Sequence, residues 1–201
     1  MGYGIMPFSV SIARVQQAFG SRDKALADSL KQTFSHQLEQ DAQDTDPDED
    51  DDETPLTLEE ALDEIIEGKG LRKTQGHKYG HALELLCWHF GTHLSNQSFC
   101  GMRWQWSDEV EEALTGAGVP TEVFSLQEHL MCRGAPVKIP APDDFPSIGF
   151  LKRAEIGPAL QAIESADFAS LDLEQQEAAA EIKGWLETCI KAQTDLVCFY
   201  Y

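Results

Sequence analysis

Leu196-Val197-Cys198-Phe199-Tyr200-Tyr201 decides how this chain folds. Successive side chains on a strand point to opposite faces, so a strand that is apolar at every position needs cover on both. The segment therefore reads as a central strand of a sheet. A long helix feeds it. Asp172-Leu173-Glu174-Gln175 has the form of a capping box, and Ile182, Leu186, Cys189 and Ile190 mark an apolar face behind it.

At the other end of the chain, residues 3–8 form a second strand candidate, with Ser9 or Ser11 placed to cap a helix. In that helix Ile12, Val15 and Phe19 recur at helical spacing and Gly20 supplies a stop. Leu26, Leu30, Phe34 and Leu38 lie four apart and predict a helix over about 23–38. Thr57-Leu58-Glu59-Glu60 is another capping box, opening a helix with Leu58, Ala61, Leu62, Ile65 and Ile66 on one face and Gly68 at its end. The longest helical pattern of the middle runs over about 75–94. Phe99, Met102, Trp104 and Trp106 suggest strand, followed by a short acidic helix capped by Ser107 and a helix opened by Ser125. Residues 136–139 and 148–151 read as short strands, and 155–163 as a helix. There is no internal repeat and no regular alternation of strand and helix. The expected class is α+β: a helix-rich single domain over residues 1–201, with a small mixed or antiparallel sheet that includes the C-terminal strand.

Composition bounds the function. Among 201 residues, 15 Lys and Arg face 35 Asp and Glu, a formal net charge of −20. A nucleic-acid backbone needs cationic neutralisation, and so does an anionic membrane surface, so both partners are excluded. No apolar run approaches the roughly 20 residues that span a bilayer. Residues 32–68 hold fifteen acids and neither Lys nor Arg, and ten of those acids fall within 39–53. Self-repulsion and the lack of anything to bury make 39–56 an acidic, flexible insertion. The five cysteines are odd in number and contain no C-x-x-C pair. The first ten residues lack the pattern of a signal peptide, and Met6 stands where a myristoylation signal needs Ser or Thr. A cytoplasmic protein with free thiols is expected.

Three groups of residues could carry chemistry. His77, His81 and Glu84 fall on one face of the central helix, a geometry able to hold a divalent metal. No H-E-x-x-H accompanies them, and the commoner role of such residues is hydrogen bonding on a partly buried helix. No cofactor is expected beyond a divalent metal at that face. Lys69, Arg72, Lys73 and Lys78 lie among glycines and could cradle a phosphate or carboxylate, although neither G-x-x-x-x-G-K-[ST] nor G-x-G-x-x-G is present. The alternative is a loop that balances the acidic run. Asp48, Glu49, Asp50, Asp51, Asp52 and Glu53 form a surface for a basic partner. Asp48, Asp50, Asp52 and Glu59 mimic calcium-loop spacing, but Glu53 occupies the position that demands Gly, so composition accounts for the match.

The opening Met1-Gly2-Tyr3-Gly4-Ile5-Met6-Pro7-Phe8, the aromatic–His–aromatic stretch Trp88-His89-Phe90, Ser147-Ile148-Gly149-Phe150-Leu151 and the terminal helix and strand occur in one order. In that layout the chain resembles the YfbM-like bacterial family of uncharacterised domains, its opening being similar to a distinct subgroup. It departs from that family by the acidic insertion and by Gly91-Thr92-His93. The resemblance implies a compact α+β domain and transfers no catalytic residue. Charge and composition favour a non-enzymatic binding or regulatory protein, such as an immunity-type inhibitor, that engages a basic protein. The alternative is a metal-dependent enzyme or small-anion binder. Oligomeric state is open.

Overall fold

The computed structural model describes residues 3–45 and 55–201, so Asp48, Glu49, Asp50, Asp51, Asp52 and Glu53 lie outside the described residues. Five strands form one antiparallel sheet: β1 (Tyr3–Val10), β2 (Thr92–His93), β3 (Cys100–Met102), β4 (Ser147–Leu151) and β5 (Asp195–Tyr200). Their order is β2-β1-β5-β4, with β3 on the other end of β1. The last strand is therefore central, flanked by β1 from Ile5↔Tyr200 to Val10↔Asp195 and by β4 from Ser147↔Tyr200 to Leu151↔Leu196.

The apolar character of β5 is used on both faces. Leu196, Cys198 and Tyr200 join a core with Ile5, Leu151, Trp185 and Leu186. This side is covered by α6 (Trp106–Gly116), α7 (Arg153–Ser165) and α8 (Leu173–Ala192). Val197 and Phe199 join a second core with Phe8, Leu62, Leu83 and Leu86. That side is covered by α1 (Ile12–Ala18), α2 (Lys24–Thr33), α3 (Ser35–Asp44), α4 (Leu58–Glu67) and α5 (Gly76–Phe90). The class is α+β, as expected. Among the described residues no helix is long and apolar enough to cross a membrane.

Asp195, the first residue of β5, links the two helical layers. One carboxylate oxygen accepts the Ile12 amide at 2.8 Å, at the start of α1, and the other accepts the Arg153 amide at 2.8 Å, at the start of α7. Each helix begins with free amide donors, and a carboxylate there also opposes the positive end of the helix dipole. On the α8 side of the sheet, Gly149 lets β4 approach the π-helical turn at Leu126–Met131. A Cβ at Gly149 would fall 2.2 Å from the Leu130 carbonyl carbon.

Several local expectations change. The helix expected over 23–38 is two helices, because Phe34 leaves helical geometry (φ −108°, ψ 19°) between α2 and α3. Residues 39–44 of the acidic segment continue α3. Asp41 holds them down by accepting from the Leu58 amide at 2.6 Å and from the Lys78 ammonium. At the far end of that segment, Leu56 is fully buried. The central helix stops at Phe90, where Gly91 turns extended and Thr92 and His93 pair with β1. Only Cys100–Met102 pairs as strand in the Trp-rich stretch. Trp106 starts α6 with its ring buried and its indole N–H donating to the Ser98 carbonyl at 2.8 Å. Residues 136–139 are not strand. Ser125 caps the π-helical turn by accepting from the Glu128 amide, but its own amide is met by His129 Nδ1 rather than by Glu128.

Asp195→Ala is expected to cost about 2 kcal/mol by loss of two charge-assisted caps, with Asp195→Asn intermediate. Phe199→Ala is expected to cost about 3–5 kcal/mol. Urea denaturation checks both, and costs under about 1 kcal/mol would contradict a β5-centred fold.

Candidate functional site

The glycine-rich basic loop lies beside a cavity. α4 ends at Gly68 in the left-handed conformation (φ +72°), where the Lys69 amide donates back to Glu64 at 3.0 Å. The turn between α1 and α2 docks on this end: the Gly20 amide donates to the Ile65 carbonyl and the Arg22 amide to the Ile66 carbonyl, both at 2.8 Å. A Cβ on Gly68 would sit 2.9 Å from the Gly20 Cα, so the two turns meet back to back. The 69–75 loop then folds over α4. The Arg72 guanidinium donates to Glu64 at 3.1 and 3.3 Å, and the Tyr79 hydroxyl donates to the other Glu64 oxygen. The Arg72 amide in turn donates to the Tyr79 oxygen at 2.9 Å. Burial and then the Glu64 contact push the Tyr79 phenol up to about 12.

Between this loop and the proline-rich segment 136–142 lies a cavity of about 520 Å³. Phe19, Ile65, Leu71, Ile139 and Pro140 supply apolar lining, Lys69, Lys73 and Lys138 supply positive charge, and Glu64, held by Arg72 and Tyr79, supplies one carboxylate. The volume falls in the range of small-molecule sites, roughly 300–1,000 Å³. A second cavity of about 470 Å³ adjoins it through Gly68 and Lys69 and adds Arg22 and Lys24.

The four basic residues singled out in the sequence thus separate. Arg72 pins the loop to Glu64. Lys78 is held between Asp41 and Thr45 at the C-terminal end of α3. Lys69 and Lys73 line the cavity. Lys69 pairs with Glu67 at 2.6 Å, and their mutual hydrogen bond raises the ammonium and lowers the carboxyl, but both groups are exposed and the pair is weak. Lys73 and Lys138 have no ion-pair partner among the described residues. Lys138 escaped the sequence reading because no motif surrounds it; tertiary folding alone brings it opposite Lys73.

The His/His/Glu face is divided differently. His77 turns to Asp143, with Nδ1 3.1 Å from the carboxylate. His81 and Glu84 meet Tyr201 of the chain's far end: the Tyr201 hydroxyl donates to Glu84 and lies 3.4 Å from His81 Nδ1. Burial raises the Glu84 carboxyl, against hydrogen bonds from Tyr201 and Trp88 that lower it. Burial, then the Lys78 and His77 charges, lower the His81 imidazole. The Tyr201 phenol is raised by burial and by the Glu84 carboxylate. The cluster ties the end of the sheet to α5. Among the described residues no three His, Cys, Asp or Glu side chains come together as a metal set. The five cysteines are free thiols, with Cys87, Cys189 and Cys198 buried and Cys100 and Cys132 exposed.

Comparison with known families adds one identification. The chain belongs to the family described as Domain of unknown function (DUF7691), whose model matches residues 1–201. No curated protein and no solved structure matches it.

A raised folded pKa makes Glu84 stabilising below its unfolded value of about 4.3, a contribution lost as pH rises through the folded value. Glu84→Gln keeps an acceptor for Tyr201 and does not titrate. From about pH 5 to about pH 8 it is therefore expected to gain stability relative to the native protein. Denaturation at the two pH values checks this, and a constant difference would contradict it.

Proposed function

We propose that this chain is a binding protein rather than an enzyme, and that the cavity over Gly68 takes a small anion with an apolar body, such as an aryl or alkyl carboxylate or phosphate ester. One observation carries the reading. In a chain of net charge −20, Lys73 and Lys138 come from distant segments to rim the same apolar-lined cavity, and neither is spent on an ion pair among the described residues. Cations left unpaired in an acidic protein are unlike the structural ones at Arg72 and Lys78, each of which holds a carboxylate in place. Apolar lining would hold the body of the ligand, and the two ammonium groups its charged end.

The charge of the remaining surface favours a second reading, capture of a basic protein in the manner of an immunity-type inhibitor, with complementary fields speeding the encounter. Weakening of that capture with rising salt is its signature. Five free thiols support a reducing, cytoplasmic setting. A relation to the YfbM-like bacterial domains is supported by the order of opening strand, central helix and final helix and strand.

Anilinonaphthalene sulfonate, an apolar anion, tests the cavity against its neutral relative phenylnaphthylamine. The double variant Lys73→Gln, Lys138→Gln is expected to bind the sulfonate about tenfold more weakly and the neutral probe equally well. Both lysines are exposed, so thermal stability stays unchanged. Equal sulfonate affinity in the variant would contradict the proposal.

A further inference from the structure

Four aromatic rings from four segments converge at one end of the sheet. Tyr3 at the start of β1 is the hub. Its ring centroid lies 5.6 Å from Trp104 at 64°, 6.3 Å from Phe145 at 64°, and 6.1 Å from Tyr200 in a stacked arrangement. Phe145 also meets Tyr200 edge-on at 5.7 Å. Tyr200 is buried in the core, whereas Trp104 is 62% exposed and Phe145 39%.

That exposure is not what folding alone would select. Trp106, two residues on, is 6% exposed and Trp185 is 2%. Leaving an indole in water forgoes the transfer free energy that its neighbours gain. Among the described residues Arg14, Arg103 and Arg133 lie over Phe90, Trp106 and Phe150, and none over these four rings. Acids edge the patch instead. Asp144 is exposed and accepts the Phe145 amide at 2.7 Å, Asp143 precedes it, and exposed Asp108 is near enough to act on the Tyr200 phenol.

Exposed aromatic faces with carboxylates at their edge are suited to a guanidinium, which stacks flat on a ring while its N–H groups reach a carboxylate. The geometry points to Trp104 and Phe145, backed by Tyr3 and the buried Tyr200, as the platform on which an arginine-rich segment of a basic protein docks, with Asp144 and Asp108 as its anionic rim. This rests on the second reading above, capture of a basic partner, and gives it a location. The overall charge of −20 supplies the complementarity that draws such a segment in. An ammonium is a more strongly hydrated point charge, so an oligo-lysine segment gains less from the rings than an oligo-arginine one.

Titration of a short oligo-arginine peptide at low salt, followed by calorimetry, tests the docking site. Trp104→Ala and Phe145→Ala are each expected to weaken binding about five- to tenfold, while Trp88→Ala, whose ring is also exposed but lies on α5, leaves it unchanged. An oligo-lysine peptide of equal charge is expected to bind more weakly than oligo-arginine, and Trp104→Ala to narrow that gap. Salt-sensitive binding that survives Trp104→Ala and Phe145→Ala intact would overturn the platform while leaving basic-partner capture standing. So would an equal loss in Trp88→Ala. No binding of the peptide to the native protein would overturn both. Circular dichroism of each variant separates a lost contact from a lost fold.

Discussion

A strand that is apolar from Leu196 to Tyr200 cannot lie on a surface, and the need to cover β5 on both faces organises this molecule. Leu196, Cys198 and Tyr200 commit one face to the layer of α6, α7 and α8, while Val197 and Phe199 commit the other to the layer of α1 to α5. Slipping β5 by one residue against β1 would exchange every side chain between the two cores, so the register is set by packing as well as by hydrogen bonds. The polar groups at the start of the strand work with this constraint. Asp195 caps a helix in each layer, and Ser9 on β1 meets Thr194 at 2.6 Å. Since β1 and β5 come from opposite ends of the chain, the central pairing also closes nearly the whole sequence into one unit, a non-local contact of the kind that slows folding.

What was legible in the sequence was local chemistry with a single solution. Thr57 and Asp172 form the capping boxes their spacing promised, and Gly68 ends its helix in the left-handed conformation. The unbroken apolar run at the C-terminus was enough to place β5 centrally. Periodicity alone failed where a tertiary contact interrupts a pattern that would otherwise continue. Leu26, Leu30, Phe34 and Leu38 keep helical spacing across a break at Phe34, and α3 runs on into acidic sequence because Asp41 finds Leu58 and Lys78. Trp104 and Trp106 look alike in sequence, yet one begins a helix with a buried ring and the other projects into water.

The candidate sites show the same limit. Clustering of Lys69, Arg72, Lys73 and Lys78 marked a loop that lies beside a cavity, but could not tell which ammonium and guanidinium groups would be used internally. Arg72 and Lys78 answer nearly buried carboxylates, Glu64 and Asp41, whose desolvation demands a partner. Lys73 is left to the cavity, and its counterpart Lys138 carries no local signal at all. Tyr201 was invisible as the partner of His81 and Glu84 for the same reason: only the β1–β5 pairing brings the end of the chain to α5. Arg72 and Lys78 are thus used to hold carboxylates in place, whereas Lys73 and Lys138 rim a cavity without an ion-pair partner among the described residues.

Backbone amide mapping by NMR during titration with anilinonaphthalene sulfonate tests the central functional claim most directly. The account predicts saturable shifts confined to the cavity walls, at Gly20, Ile65, Leu71 and Lys73 on one side and Lys138 and Ile139 on the other. Shifts centred on Trp104 and Phe145, or spread over the surface without saturation, would contradict it.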